Sequence, residues 1–314
     1  MVSSDVATST PRKTRRLQAK GDRRAGGRSE LPTALVFIAP ALLGFVIFYL
    51  VPTIRGFYFS MTQYNILGTP KWIGFDNFTR IPKDPLFWNA LWVTLEYVLL
   101  NIGFQTIIAI VLAVLMQRLT QSTVLRGMLL LPWLISNVIA AMVWFWLLDY
   151  QIGLVNAFLE WTGMSRIAFF GNEVWAIPTI AFVNVWRHMG YTALLVFAGL
   201  QTIPKYVYEA ASVDGSTEWS SFWRMTIPLL RPVLAMILVI TVTGSFQVFD
   251  TVAVTTRGGP VNVTRVLQFY IYQKGFAEGQ FGYASALSVV LFLILAVVAA
   301  LQLRLLRAGE SDLA

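Results

Sequence analysis

Three polar side chains recur on one face of an otherwise apolar stretch: Asn184, His188 and Tyr191 stand at i, i+4 and i+7. Thr241, Ser245 and Val248 repeat that spacing in the following stretch, with Gln247 beside them. Amides, hydroxyls and aromatic faces in such a pattern can hydrogen-bond hydroxyl groups and stack on C–H faces, which is what a neutral sugar requires. Each side chain can equally bond a neighbouring helix, as Ser, Thr and Asn commonly do in membranes. Most covalent chemistry is excluded. The chain has no cysteine and one histidine, so disulfides, thiolate metal sites and a histidine-built metal site within this chain are ruled out. A proton relay through His188 finds Arg187 beside it but no Asp or Glu in the same stretch. There is also no G-x-x-x-x-G-K-[ST] phosphate loop, so the chain cannot itself be an ATPase.

A second group of residues is charged and glycine-broken: Glu209-Ala210-Ala211-Ser212-Val213-Asp214-Gly215, followed by Ile227-Pro228. Pro204 can open a helix at its first turn. Gly215 supplies the backbone freedom for a sharp turn, and Ser216 or Thr217 can cap a second helix. Trp219, Phe222 and Trp223 are expected to pack that helix back onto the rest. The result is a helix–turn–helix whose first helix is flat enough to enter a partner's groove. An ordinary amphipathic connection fits the same physics.

The elements that must position these groups are long and apolar. The chain of 314 residues is 56% hydrophobic and 13% charged, against about 25% charged in soluble domains. Stretches 31–54, 97–117, 127–148, 232–249 and 281–303 lack charge, and each has about the 17–25 residues that cross a bilayer. A sixth, 175–202, is interrupted by Arg187 and His188. Six helices are therefore expected, in one membrane domain over residues 31–307. The first stretch is too long for a signal peptide's apolar region.

The net charge of +8 does not point to nucleic acid, because eight basic residues between Arg12 and Arg28 precede the first stretch without an interleaved aromatic. Residues 1–30 read as a disordered basic tail that holds the N-terminus inside and touches anionic membrane lipid. With six crossings the short tail 308–314 is also inside, and residues 204–228 form a cytoplasmic loop. The outer loops are rich in Gly, Pro and aromatics, with Trp72, Trp88, Trp161 and Trp175 suited to interfacial belts.

The cytoplasmic loop resembles the EAA loop of binding-protein-dependent ABC importers, with Glu209, Ala210, Ala211, Asp214, Gly215 and Pro228 matching. Thr226-Ile227-Pro228 departs slightly from the usual I-T-L-P. Phe249-Asp250, Thr256-Arg257-Gly258-Gly259-Pro260, Tyr272, Phe276, Phe281-Gly282-Tyr283-Ala284 and Ala286-Leu287-Ser288 resemble the carbohydrate-uptake branch, similar to the first permease subunit of maltose-type and glycerol-3-phosphate-type transporters. Weaker matches include residues 73–78, Leu131-Pro132, Gly153 and Asn156.

The resemblance implies an all-α membrane protein: six transmembrane helices in the ABC-importer permease (MetI-like) fold, with a cytoplasmic coupling helix–turn–helix. It implies a sugar permease without an ATPase site of its own. Two partner ATPase subunits would bind ATP and Mg, a second homologous permease would complete the channel, and an extracytoplasmic solute-binding protein would deliver a di- or oligosaccharide. The bacterial or archaeal cell (inner) membrane is the implied location. Glu209, Ala210, Ala211, Asp214 and Gly215 would couple to an ATPase. In maltose-type permeases an asparagine and a tyrosine match Asn184 and Tyr191, and a serine aligns with Thr241. A glycine aligns with His188, and asparagines align with Ser245 and Val248, which suggests a different sugar or a different hold on it. Import of glycerol-3-phosphate uses the same architecture. A proton-coupled secondary transporter predicts buried carboxylates and two matching halves, and an intramembrane enzyme needs a nucleophile–base pair or metal carboxylates. Neither pattern is visible.

Overall fold

A computed structural model describes residues 31–66, 68–119 and 122–306. The two expected tails lie outside the described residues. The chain divides into two compact units, one ending at Pro52 and the other beginning at Thr53. In the first, helix α1 (Leu31–Phe45) runs into a π-helical turn at Val46–Leu50. Helix α2 (Val51–Ser60) leads into the second unit.

The second unit is helical apart from a two-stranded antiparallel ribbon, β1 (Thr62–Gln63) with β2 (Lys71–Trp72), in the register Thr62 to Trp72. Short α3 (Asp76–Arg80) follows, and then α4 (Pro85–Leu119), the longest helix. Helices α5 (Thr123–Leu134), α6 (Asn137–Leu147) and α7 (Leu154–Trp161) lead to α8 (Ala176–Gln201). Beyond it lie α9 (Lys205–Val213), α10 (Glu218–Ser221) and α11 (Ile227–Leu229). Helices α12 (Arg231–Phe246), α13 (Asp250–Val254), α14 (Leu267–Tyr272) and α15 (Phe281–Leu306) complete the chain.

Four helical segments among the described residues are long and apolar enough to cross a membrane: Ala34–Ser60, Pro85–Arg118, Arg231–Val254 and Phe281–Arg304. Helix α8 has the length, at 26 residues and 1.5 Å each, but its polar centre lowers its hydropathy. The expected continuous span over 127–148 is instead broken. Helices α5 and α6 meet at 92° across Ile135 and Ser136. Pro132 lacks an N–H in the last turn of α5, and both linking residues are extended. A break at membrane depth exposes backbone carbonyls that need partners. Arg187 supplies them: its Nε donates to Ile135 O at 2.8 Å and Nη2 to Trp133 O at 3.1 Å. Arg187 thus caps a broken helix.

Helices α4 and α8 form the most extensive pairing, flanked by α5 and α12. Gly190 makes the α5–α8 approach possible, since a Cβ there would overlap the Leu129 carbonyl. Two apolar cores result. One gathers Tyr97, Ile180, Phe246, Val252, Leu267 and Leu287. The other gathers Ala109, Met116, Val196, Leu200, Leu230 and Ile237. Along both α4 and α8 the polar residues fall between these cores: Asn101 and Gln105 on one, Asn184, His188 and Thr192 on the other.

The family-like loop residues are structural pins. Asn77 Nδ2 donates to the carbonyls of Ser60 and Thr62, both at 2.9 Å. Asn156, fully buried, donates to Asp149 O and Ile167 O and accepts from Ile167 N.

Candidate functional site: a polar cavity and an exposed coupling helix

A cavity of about 420 Å³ opens where α4, the α5–α6 break, α8, α12 and α13 converge. All seven residues singled out from the sequence line it: Asn184, His188, Tyr191, Thr241, Ser245, Gln247 and Val248. Their local chemistry is more varied than their shared face suggested. Asn184 Nδ2 donates to Ile180 O at 2.9 Å and to Thr251 Oγ1 at 3.1 Å, so its amide also holds α8 to α13. Tyr191 stacks on Trp133 with ring centroids 4.8 Å apart, forming an aromatic wall. Such a face can pack against the C–H side of a ring ligand.

His188 is committed within the protein. Arg187 Nη1 lies 2.9 Å from His188 Nε2, and an arginine can only donate, so Nε2 accepts. The proton therefore sits on Nδ1, which donates to Asn184 O at 2.9 Å. Both ring nitrogens are used, and His188 offers the cavity ring surface. This arrangement removes the basis for a relay through His188.

Several lining residues escaped the sequence reading. Tyr97, Asn101 and Gln105 come from α4, Trp133 and Asn137 from the helix break, and Thr192 and Thr251 from the other walls. The α4 set was legible, because residues 97, 101 and 105 repeat every four positions in a stretch otherwise notable for lacking charge. Nothing local could reveal that Asn137 Nδ2 donates to Asp250 Oδ2 at 2.8 Å, across 113 positions of sequence.

The segment over residues 204–228 takes the expected helix–turn–helix form. Helix α9 starts after extended Pro204 and ends in a Schellman turn: Gly215 N bonds Ser212 O at 3.1 Å and Ser216 N bonds Ala211 O at 2.9 Å. Gly215 carries φ +73°, where a side chain is strained. Thr217 caps α10 by accepting from Ser220 N at 3.3 Å. Ala211 is buried, whereas Glu209, Ala210, Asp214 and Gly215 are exposed. Tyr208 Oη bonds Thr226 Oγ1 on the inner side, and the exposed Arg118–Glu218 ion pair links the turn to α4 at the surface. Trp219 and Trp223 do not pack inward as expected. They remain 71% and 52% exposed and contact one another and Phe222. The anchoring task has been taken by Tyr208 and Thr226.

Just before α4, Asp84 joins three elements. Its Oδ1 accepts from Leu86 N at 3.0 Å, capping α4, and its Oδ2 accepts from the hydroxyls of Tyr270 and Tyr283. Burial raises the Asp84 pKa, but the two tyrosine bonds and the backbone amides of Leu86 and Phe87 outweigh it and hold the carboxyl below its usual value.

Residues 105–308 match the family described as binding-protein-dependent transport system inner membrane component. A sulfoquinovosyl glycerol transport system permease protein of Agrobacterium fabrum is 34% identical over 282 residues, covering 88% of this chain and 91% of that protein. A trehalose/maltose transport system permease protein of Thermococcus litoralis is 30% identical, over 84% of this chain and 90% of its own length. A chain in the crystal structure of a bacterial alginate ABC transporter, in complex with alginate pentasaccharide-bound periplasmic protein, superposes with a TM-score of 0.77. It is 25% identical, over 89% of this chain and 96% of that one. The shared length, the bent pair of helices around a polar cavity and the exposed helix–turn–helix converge on one assignment: the chain is a membrane permease belonging to the binding-protein-dependent transport system inner membrane component family.

Proposed function

We propose that this permease is one transmembrane subunit of an ATP-driven importer and passes a sugar through the cavity bounded by α4, α8 and α12. The observation that carries this reading is the convergence of the seven predicted polar and aromatic residues on one cavity between two apolar cores. Relatives named for sugar-containing cargo support it. An extracytoplasmic binding protein delivers the sugar, as the periplasmic protein bound to the alginate transporter suggests. A second homologous permease completes the pathway, and two ATPase subunits bind ATP and Mg. The N- and C-termini lie in the cytoplasm of a bacterial or archaeal cell, beneath the inner membrane.

Glu209, Ala210, Ala211, Asp214 and Gly215 form the contact with one ATPase. Coupling needs a rigid element with two discrete arrangements. The capped α9–Gly215–α10 turn, tied to α4 through Glu218 and to Thr226, just before α11, through Tyr208, has that rigidity. Glu209 is exposed and can pair with a basic residue of the ATPase. In proteoliposomes holding the complete importer, Glu209→Lys should reduce ATP-dependent sugar uptake at least about tenfold, the effect of losing roughly 1.4 kcal/mol of contact, and weaken co-purification of the ATPase. Unchanged uptake and assembly would remove Glu209 from the contact. Sugar uptake that persists with a hydrolysis-dead ATPase would remove the ATP-driven mechanism itself.

A further inference from the structure

Along residues 218–229, where α10 passes through a π-helical turn (Phe222–Thr226) into α11, the usual surface pattern is reversed. A helix on a water-exposed surface turns its apolar side inward. Here the hydroxyls turn inward: Ser221 Oγ donates to Ser216 Oγ at 3.1 Å, and buried Thr226 bonds Tyr208. The rings turn outward. Trp219 and Trp223, four positions apart, join Phe222 in one aromatic patch with centroids 5.2 to 6.2 Å apart. Both indoles stay more than half exposed. That reversal suits an apolar medium outside the stretch and wastes the rings in water.

Both ends of the stretch are fixed where membrane-crossing segments end. Glu218, at its start, pairs with Arg118, the last residue of the segment Pro85–Arg118. Its far end passes through Leu230 into Arg231, the first residue of the segment Arg231–Val254. The stretch therefore runs along one membrane surface, and the two indoles between its ends stand at headgroup depth. Tryptophan favours that depth because its ring is apolar and its N–H polar. The charge fits as well. Arg224 and Arg231 are exposed and make no ion pair among the described residues. Glu218 is the one acid in residues 216–231 and is already paired, so the outward charge is positive. The proposed ATPase contact uses α9 and the turn, and leaves these rings unassigned.

We propose that Trp219, Trp223, Arg224 and Arg231 form a lipid-binding anchor on the membrane surface. The two indoles insert among the headgroups, and the two guanidiniums bind the phosphates of anionic phospholipid, as basic residues beside a membrane span do. The anchor fixes the depth of α10 from outside, while Tyr208 and Thr226 hold it from inside. It is independent of which solute the permease carries.

The test uses the complete importer in nanodiscs of phosphatidylcholine and phosphatidylglycerol at fixed composition. Bromine is placed on the upper acyl carbons of one lipid class at a time, where it quenches tryptophan emission only at short range. Subtracting the emission of Trp219→Phe/Trp223→Phe from that of wild type isolates the two indoles, and phenylalanine keeps the patch apolar. Each single phenylalanine variant gives the same subtraction where the pair does not assemble. Co-purification of the ATPases checks assembly of every variant. The difference signal should fall at least about twofold in brominated lipid, as expected for rings at headgroup depth. Brominated phosphatidylglycerol should quench it at least about twofold more than brominated phosphatidylcholine at equal mole fraction, because the arginines gather anionic lipid. Arg224→Gln/Arg231→Gln should bring the two lipid classes level. A difference signal that neither brominated lipid dims puts the rings against the ATPase or in water and overturns the proposal. Equal quenching by the two classes in wild type overturns the pairing of the arginines with anionic headgroups.

Discussion

Gly190→Leu should abolish transport and prevent stable assembly of the transmembrane helices. At Gly190 a Cβ would overlap the backbone carbonyl of Leu129, so no side-chain rotation relieves the clash. Small residues are what allow helix backbones in membranes to approach this closely. Helix α5 cannot retreat freely, because Arg187 on α8 holds the carbonyls of Trp133 and Ile135 at its C-terminal end. Pushing α5 away would break those bonds, leave carbonyls of the helix break unpaired and pull Trp133 off Tyr191. Even Gly190→Ala should cost about 1–3 kcal/mol, the usual range for overpacking. Leucine should cost more. Thermal unfolding of the solubilised protein and sugar uptake by the complete importer check both substitutions. If Gly190→Leu keeps the wild-type melting temperature and uptake, α5 and α8 do not cross as closely as described.

Asp84→Ala should be strongly damaging, because Asp84 ties three elements together. It removes the N-cap of α4 and leaves the hydroxyls of Tyr270 and Tyr283 without their acceptor. A lost cap costs about 1 kcal/mol, and hydrogen bonds to a charged acceptor contribute about 1.5–3 kcal/mol each. Because neighbours in one network do not add fully, about 3 kcal/mol is a reasonable total. Asp84→Asn should fall between alanine and wild type. The pH dependence has a definite sign. A carboxyl whose folded pKa lies below the ordinary value of 3.8 stabilises the fold fully above that value and progressively less as pH falls through the folded one. The wild type should therefore keep the contribution at neutral and mildly acidic pH and lose it below about pH 4. Melting temperature against pH should decline less steeply in acid for Asp84→Asn. Equal acid slopes for wild type and variant would show that Asp84 is not the group responsible.

The helical segments and the coupling turn were legible because both rest on local rules. Apolar length predicts a crossing helix, and Pro204, Gly215 and Thr217 mark the start, turn and restart of the α9–α10 pair. The Asn184–His188–Tyr191 face was legible for the same reason, since helical spacing alone sets it. Reading 127–148 as one continuous helix failed because the only local warning was Pro132, and a proline near a helix end does not dictate a 92° bend. The bend depends on Arg187, some 50 residues away in sequence. Trp219 and Trp223 failed in the opposite sense: aromatic character suggested inward packing, but the short α10 is already tethered by Thr226 and Glu218, leaving those rings outside.

The sequence by itself determined the membrane class, the periodic polar face and the capped α9–α10 turn, because these follow from hydropathy and bonds spanning a few residues. It also showed that the chain has no cysteine, one histidine and no G-x-x-x-x-G-K-[ST] phosphate loop. Tertiary structure decided which atoms remain available. Arg187 occupies both His188 and the broken helix, and a hydrogen-bond chain through Thr192, Gln105, Asn101 and Ser245 orients every amide it includes. The physical reason is directional. A hydrogen-bonding side chain advertises donors and acceptors in sequence, but only its partners, brought from 50 to 150 positions away, fix which of them is left for a ligand.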